Sequence, residues 1–130
     1  MNREILFRGI VKDEERRKFF DGWFYGDLIH YANGDVYIRQ PQTGSEEQVI
    51  PETVGQYIGV NDVYGVRIFE GDIVIYVFKD IDSTPAEIIY SGSSFSTKCT
   101  VSGDLGDIYG FSLEIIGNIY DNPELCKPQQ

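Results

Sequence analysis

Histidine and cysteine are scarce in this chain, with one His (His30) and two Cys (Cys99 and Cys126) among 130 residues. No C-x-x-C spacing accompanies them, so the usual ligand set of a structural zinc site is missing. With His30 alone, no Ser-His-Asp or Cys-His arrangement for nucleophilic catalysis can be singled out. Basic residues are also few: 11 Lys and Arg stand against 21 Asp and Glu, a formal charge of −10. A surface that acidic repels phosphate and disfavours generic nucleic-acid binding. Long apolar runs are lacking as well. The longest, Ile73 to Phe78, is far too short to span a bilayer, and no basic, apolar leader opens the chain. The expectation is a cytoplasmic protein with reduced thiols and no membrane attachment.

What the chain does hold is aromatic rings and turn residues. Nine Tyr and eight Phe favour pleated, half-buried strands over helices. Fourteen Gly and five Pro are spread along the chain and divide it into short pieces. Eight to ten short strands are counted, with no convincing long helix, which reads as a mainly β protein of short antiparallel strands. One domain over residues 1–130 is expected, with two lobes: an accessory N-terminal sheet (1–45) and an SH3-like barrel (46–130).

The charges are unevenly placed. Residues 1–20 carry six Lys and Arg against four acids, a net of +2, which leaves −12 for the rest. A basic start and an acidic body can attract each other between copies of the protein. Within the start, K-D-E-E-R-R-K (residues 12–18) reads as a loop or a single helical turn. Glu14 and Lys18 are spaced to support such a turn, but no apolar stripe is present to dock it.

Asn33-Gly34 predicts a hairpin between the aromatic strand at 22–31 and Val36–Arg39. V-G-Q-Y-I-G-V should be extended and N-D-V-Y-G should turn. Ile73 to Phe78, apolar on both faces, fits a central strand covered on both sides. Phe111 to Tyr120 makes the last strand. In F-E-G-D (69–72), Glu70 and Asp72 could share acid–base work or hold a metal. The turn reading is stronger: Gly71 supplies positive φ and the Asp72 carboxylate accepts a nearby backbone N–H. Asp104 and Asp107 approach a calcium loop in composition, but lack its twelve-residue spacing and terminal Glu. Trp23, Phe24 and Tyr25 are consecutive, so at least one ring must face away from the other two.

Several of these segments together resemble the YopX family of small proteins encoded by phages and prophages of Gram-positive bacteria. The resemblance rests on R-E-I-L-F-R-G at the start, W-F-Y-G-D-L-I (Trp23 to Ile29), and P-E-T-V-G-Q-Y-I-G with the following N-D-V-Y-G-V-R-I-F-E-G-D-I-V. It closes on E-I-I-G-N-I-Y-D-N-P-E-L (Glu114 to Leu125). Residues 80–107 carry no such match. The resemblance implies a mostly β protein of phage or prophage origin, with no established activity and no catalytic residues to carry over.

The leading expectation is a non-enzymatic protein-interaction module that self-associates and binds a host or phage protein. Arg8, Trp23, Tyr25, Tyr57, Glu70 and Asp72 are its candidate interaction residues. No catalytic, cofactor-binding or metal-binding residue is assigned. Two other readings stand beside it. One is a nucleic-acid-binding barrel that uses Arg3, Arg8, Arg16, Arg17 and Lys18 on phosphates, with Trp23 or Tyr25 stacking on bases. The other is an acidic body that imitates nucleic acid on a host protein.

Overall fold

The computed structural model describes residues 4–77, 85–91, 94–99, 103–106 and 112–126. The chain divides into two compact units, Met1–Tyr57 and Ile58–Gln130. Both are built from short antiparallel strands, and the only α-helix among the described residues is one turn long. No helix among them is long and apolar enough to cross a membrane.

The first unit contains β1 (Phe7–Ile10), α1 (Glu14–Arg17), β2 (Trp23–His30), β3 (Val36–Arg39), β4 (Glu46–Gln48) and a 3-10 turn at Pro51–Thr53. Strand β5 (Gly55–Asn61) begins in this unit and ends in the second. The strands lie in the order β4-β3-β2-β1, and the start of β5 pairs with β1 through Arg8 and Gly55. Alternation along these strands sends Val11, Phe24, Val36, Ile38 and Val49 into one core, with Phe7, Phe20, Leu28 and Val54 packed against it. Burial of such side chains contributes about 1.5–3 kcal/mol each.

The hairpin at Asn33-Gly34 forms as expected, with Leu28 opposite Ile38 and His30 opposite Val36. Its turn differs from the two-residue type I′ loop that Asn-Gly suggests. Only Gly34 takes a positive φ there (+97°). The Asn33 side chain accepts from the Asp35 amide (2.9 Å), and the Tyr31 amide donates to the Asp35 carbonyl (2.9 Å). The Asn33 side chain thus stabilises a longer loop in which a single residue needs the left-handed conformation.

At the end of the sheet, the Gln40 amide donates to the Ser45 carbonyl and the Val49 amide to the Val36 carbonyl. Antiparallel pairing alternates, so Glu46 and Gln48 must turn their backbone groups outward. The Gln48 carbonyl is met by the Lys12 amide (2.9 Å). The chain therefore follows β4 only as far as Lys12 and then leaves it for α1.

The second unit holds the end of β5, then β6 (Arg67–Phe69), β7 (Asp72–Tyr76), β8 (Ala86–Ser91), β9 (Ser94–Cys99), β10 (Gly103–Gly106) and β11 (Leu113–Asn118), with a 3-10 turn at Pro123–Cys126. Ile58, Ile68, Val74, Tyr76, Ile88 and Leu113 form its core. Strand β7 lies between β8 and β11, the central position expected for the Ile73 run. The sheet order β10-β9-β8-β7-β11 is open. The strands do not close into the expected SH3-like barrel, although the mainly antiparallel β class with little helix holds. The reason lies at β11. Its outer side is met by a turn and not by another strand: the Val63 amide donates to the Leu113 carbonyl (2.8 Å), and the Ile115 amide donates to Asp62 Oδ2 (3.3 Å). Residues 103–106, which hold the Asp104 weighed above against a calcium loop, form β10. Asp107 lies outside the described residues.

Candidate functional site

The charged run 12–18 becomes the single turn α1 through a local device and two distant ones. Asp13 caps it, its Oδ1 accepting from the amides of Glu15 (2.9 Å) and Arg16 (3.2 Å). Without an apolar stripe, the turn docks through its arginines. Arg16 makes a bidentate pair with the buried carboxylate of Glu47, its Nε donating to Oε1 at 2.8 Å. That hydrogen bond and the Glu47 charge hold the Arg16 guanidinium above its usual pKa. Arg17 Nε donates to the Val11 carbonyl (2.7 Å). Lys18 pairs with Glu15 (3.5 Å) and not with Glu14.

Beside this turn lies a groove of about 540 Å³ lined by Lys12, Asp13, Arg16, Tyr37, Glu46, Glu47 and Gln48. Its acids are engaged within the protein. Asp13 caps α1, Glu47 holds Arg16, and Glu46 pairs with Arg39 (3.6 Å) and accepts from the Tyr31 hydroxyl (2.9 Å). Tyr31 in turn stands edge-on to Tyr37, ring centroids 5.0 Å apart. The hydrogen bond to Glu46, followed by burial, raises the Tyr31 pKa above its ordinary 10.0. The bond needs the phenol proton. Its contribution is therefore complete below pH 10 and is lost as pH rises through the higher folded-state value. In an alkaline titration of ring-labelled tyrosine, Tyr31 should ionise later in the wild type than in Glu46→Gln. An unchanged midpoint would exclude the bond in solution.

The candidate interaction residues divide between the two units. In the first, Arg8 and Tyr25 are cross-strand partners. The Arg8 guanidinium lies 4.3 Å above the Trp23 ring, a cation–π contact made with both residues buried. Phe24 points the other way into the core, as three consecutive rings require, and Tyr25 is exposed. Tyr57 is buried. In the second unit, Asp72 is buried and its Oδ2 accepts from the Phe69 amide at 2.8 Å, while Gly71 takes a φ of +93°. The Gly71 amide and carbonyl are bound to the Ile88 carbonyl and the Ile119 amide, both at 2.9 Å. Glu70 and Asp72 are thus parts of a turn tied into its surroundings. Among the described residues, no three His, Cys, Asp or Glu side chains converge to hold a metal.

Among the described residues, three exposed apolar side chains stand together in the segment that the sequence marks as a turn. In Asn61-Asp62-Val63-Tyr64-Gly65-Val66, Asp62 is 8% exposed, and its Oδ1 accepts from the amides of Tyr64 and Val66, both at 2.9 Å. The Asp62 amide donates to the Val66 carbonyl (2.7 Å) and the Gly65 amide to the Asp62 carbonyl (2.9 Å). With Val63 bound to Leu113, every backbone N–H from 62 to 66 has an acceptor within the second unit. This hydrogen-bonded turn presents Val63 at 46%, Tyr64 at 74% and Val66 at 54% exposure.

The same segment falls within a match to the family model described as YopX protein, which spans residues 6–127. The chain belongs to the YopX family. The fold is shared with two solved structures. A crystal structure of protein EF1440 from Enterococcus faecalis is 19% identical, with a TM-score of 0.57 over 97% of this chain and all of that one. A crystal structure of protein yopX from Bacillus subtilis is 17% identical, with a TM-score of 0.58 over 99% of this chain and all of that one. No curated protein matches the chain. Membership of the YopX family brings no named activity to the residues described above, so their chemistry must be argued from their own geometry. For Asp62, the only signal in the sequence is an Asp two residues before Tyr64-Gly65, which suggests a side-chain turn. Nothing local points to Ile115.

Proposed function

We propose that this YopX-family protein, of phage or prophage origin, is a non-enzymatic module that works by protein–protein contact in the bacterial cytoplasm and self-associates. The observation that carries the reading is the Val63–Val66 tip. A turn whose amides are all satisfied loses little further conformational freedom on binding, so most of the gain from covering its apolar side chains is retained as affinity. Tyrosine is enriched at such contacts because its ring is large and has few rotatable bonds. Binding of nucleic acid has less support. Of the described cations that would serve it, Arg16 is held by Glu47, Arg17 by a backbone carbonyl, Lys18 by Glu15, and Arg8 covers the face of Trp23 that a base would use, while Arg3 lies outside the described residues.

Light scattering on a size-exclusion column gives the test. The average mass of the wild type should rise with concentration, and Tyr64→Ser should shift that rise to at least tenfold higher concentration. A wild type that stays monomeric up to about 1 mM, where binding is worth only about 4 kcal/mol, would exclude self-association.

A further inference from the structure

Asn33-Gly34 is the only Asn-Gly pair in the chain; the other four asparagines precede Arg3, Asp62, Ile119 and Pro123. Besides its turn geometry, the pair carries a chemical liability. Glycine has no side chain to shield its amide, so the Gly34 nitrogen can attack the side-chain carbonyl carbon of Asn33. The new N–Cγ bond closes a succinimide ring, the Cγ–Nδ2 bond breaks, and the amide proton leaves with Nδ2 as ammonia. Water then opens the ring at either carbonyl to give aspartate or isoaspartate, with no oxidation or reduction.

The loop holds both reacting groups back from that step. The Gly34 amide donates to the Tyr31 carbonyl (3.0 Å), and it must leave this bond before its nitrogen can attack. Asp35 holds both ends of the Asn33 side chain: its amide donates to Oδ1 (2.9 Å), and its Oδ2 accepts from Nδ2 (3.1 Å). The Tyr31 amide in turn donates to the Asp35 carbonyl (2.9 Å). Burial gives no protection, since Asn33 and Gly34 are both exposed to water. Nor does packing require the glycine. A Cβ on Gly34 would meet nothing within 4 Å, so its φ of +97° alone selects the residue.

We infer that Asn33 is a deamidation site that Asp35 keeps closed in the folded protein, and that the reaction proceeds only from the opened loop. Loss of ammonia makes the change one-way. Either product puts a carboxylate where the Nδ2 donor faced Asp35, and isoaspartate also lengthens the main chain by one carbon. Modified copies therefore lose the hydrogen bonds that close the β2–β3 hairpin.

The test incubates the full chain in mildly alkaline buffer, folded or in guanidinium chloride, and follows the peptide that contains residue 33 by mass spectrometry. Deamidation changes the mass, whereas isomerisation at Asp21-Gly22 does not. Folded wild type should deamidate at Asn33 about tenfold or more slowly than the unfolded chain, because the loop must open first. Asp35→Ala, shown to be folded by circular dichroism, should react about fivefold faster than folded wild type. Asp35→Asn keeps an acceptor for Nδ2 and should fall between the two. If Asp35→Ala does not fold, Asp35→Asn decides alone, by reacting faster than wild type. A folded wild type as fast as the unfolded chain would overturn the inference, and so would a folded Asp35→Ala no faster than wild type. An Asn33 that stays intact even in the unfolded chain would exclude the site altogether.

Discussion

Gly26→Ala is expected to lower stability by about 3–5 kcal/mol, near the upper end of what single substitutions do. A Cβ on Gly26 would stand 2.2 Å from the Arg39 carbonyl oxygen and 2.7 Å from its carbonyl carbon. Carbon and oxygen approach no closer than about 3.3 Å even in favourable C–H···O contacts, so the strands must separate by about 1 Å. Both sides of the clash are backbone, and no change of rotamer relieves it. The next pair along the ladder is Asp27 with Arg39, so opening β2 from β3 there disturbs the strand that carries Ile38 into the core. Gly34→Ala is the control. Its φ is +97° with nothing within 4 Å, and the left-handed conformation alone costs an alanine about 1–2 kcal/mol. Urea unfolding of both variants measures the difference. A loss at Gly26 no greater than that at Gly34 would show that the strands are not so closely packed.

Asp62→Ala should cost about 2–3 kcal/mol and also remove self-association at concentrations where the wild type assembles. The carboxylate accepts from three amides, those of Tyr64, Val66 and Ile115, and hydrogen bonds to a charged acceptor are worth more than neutral ones. Tyr64 is exposed enough for its amide to find water, which keeps the loss below the full sum. Asp62→Asn keeps one carbonyl oxygen for the turn but places an amide group where Ile115 needs an acceptor, so a loss of about 1 kcal/mol is expected. Hydrogen exchange separates the contributions. In Asp62→Ala all three amides should lose protection, whereas in Asp62→Asn the Ile115 amide should be the most affected. Unchanged protection at Ile115 in both variants would mean that the long-range bond does not form.

These cases mark what was legible in the sequence. Asn33-Gly34 and Phe69-Glu70-Gly71-Asp72 were readable because their chemistry acts within a few residues: Asp72 reaches the Phe69 amide, three positions away. The alternation of Trp23, Phe24 and Tyr25 was readable because strand geometry imposes it. The bonds from Asp62 to Ile115 and from Arg16 to Glu47 span 53 and 31 residues. Their partners are adjacent only once the strand order is known, and short strands give no clue to that order. The barrel expectation failed for the same reason. F-E-G-D specifies a turn, whereas closure depends on what lies along β11, and that is a loop from fifty residues earlier. The charged run 12–18 is a different case, because it has no apolar stripe and docks through the guanidinium groups of Arg16 and Arg17.

The departure of the chain from β4 at Lys12 has a further consequence. An added strand needs a row of outward amides and carbonyls to copy, and sheets that expose one nucleate fibrils. On β4 that row has been shortened to Glu46 and the Gln48 amide, since Lys12 satisfies the Gln48 carbonyl and Asp13 begins a helix where the next partner would stand. The first unit can therefore hold a core of Phe, Val and Ile while this end of its sheet is too short to act as a template.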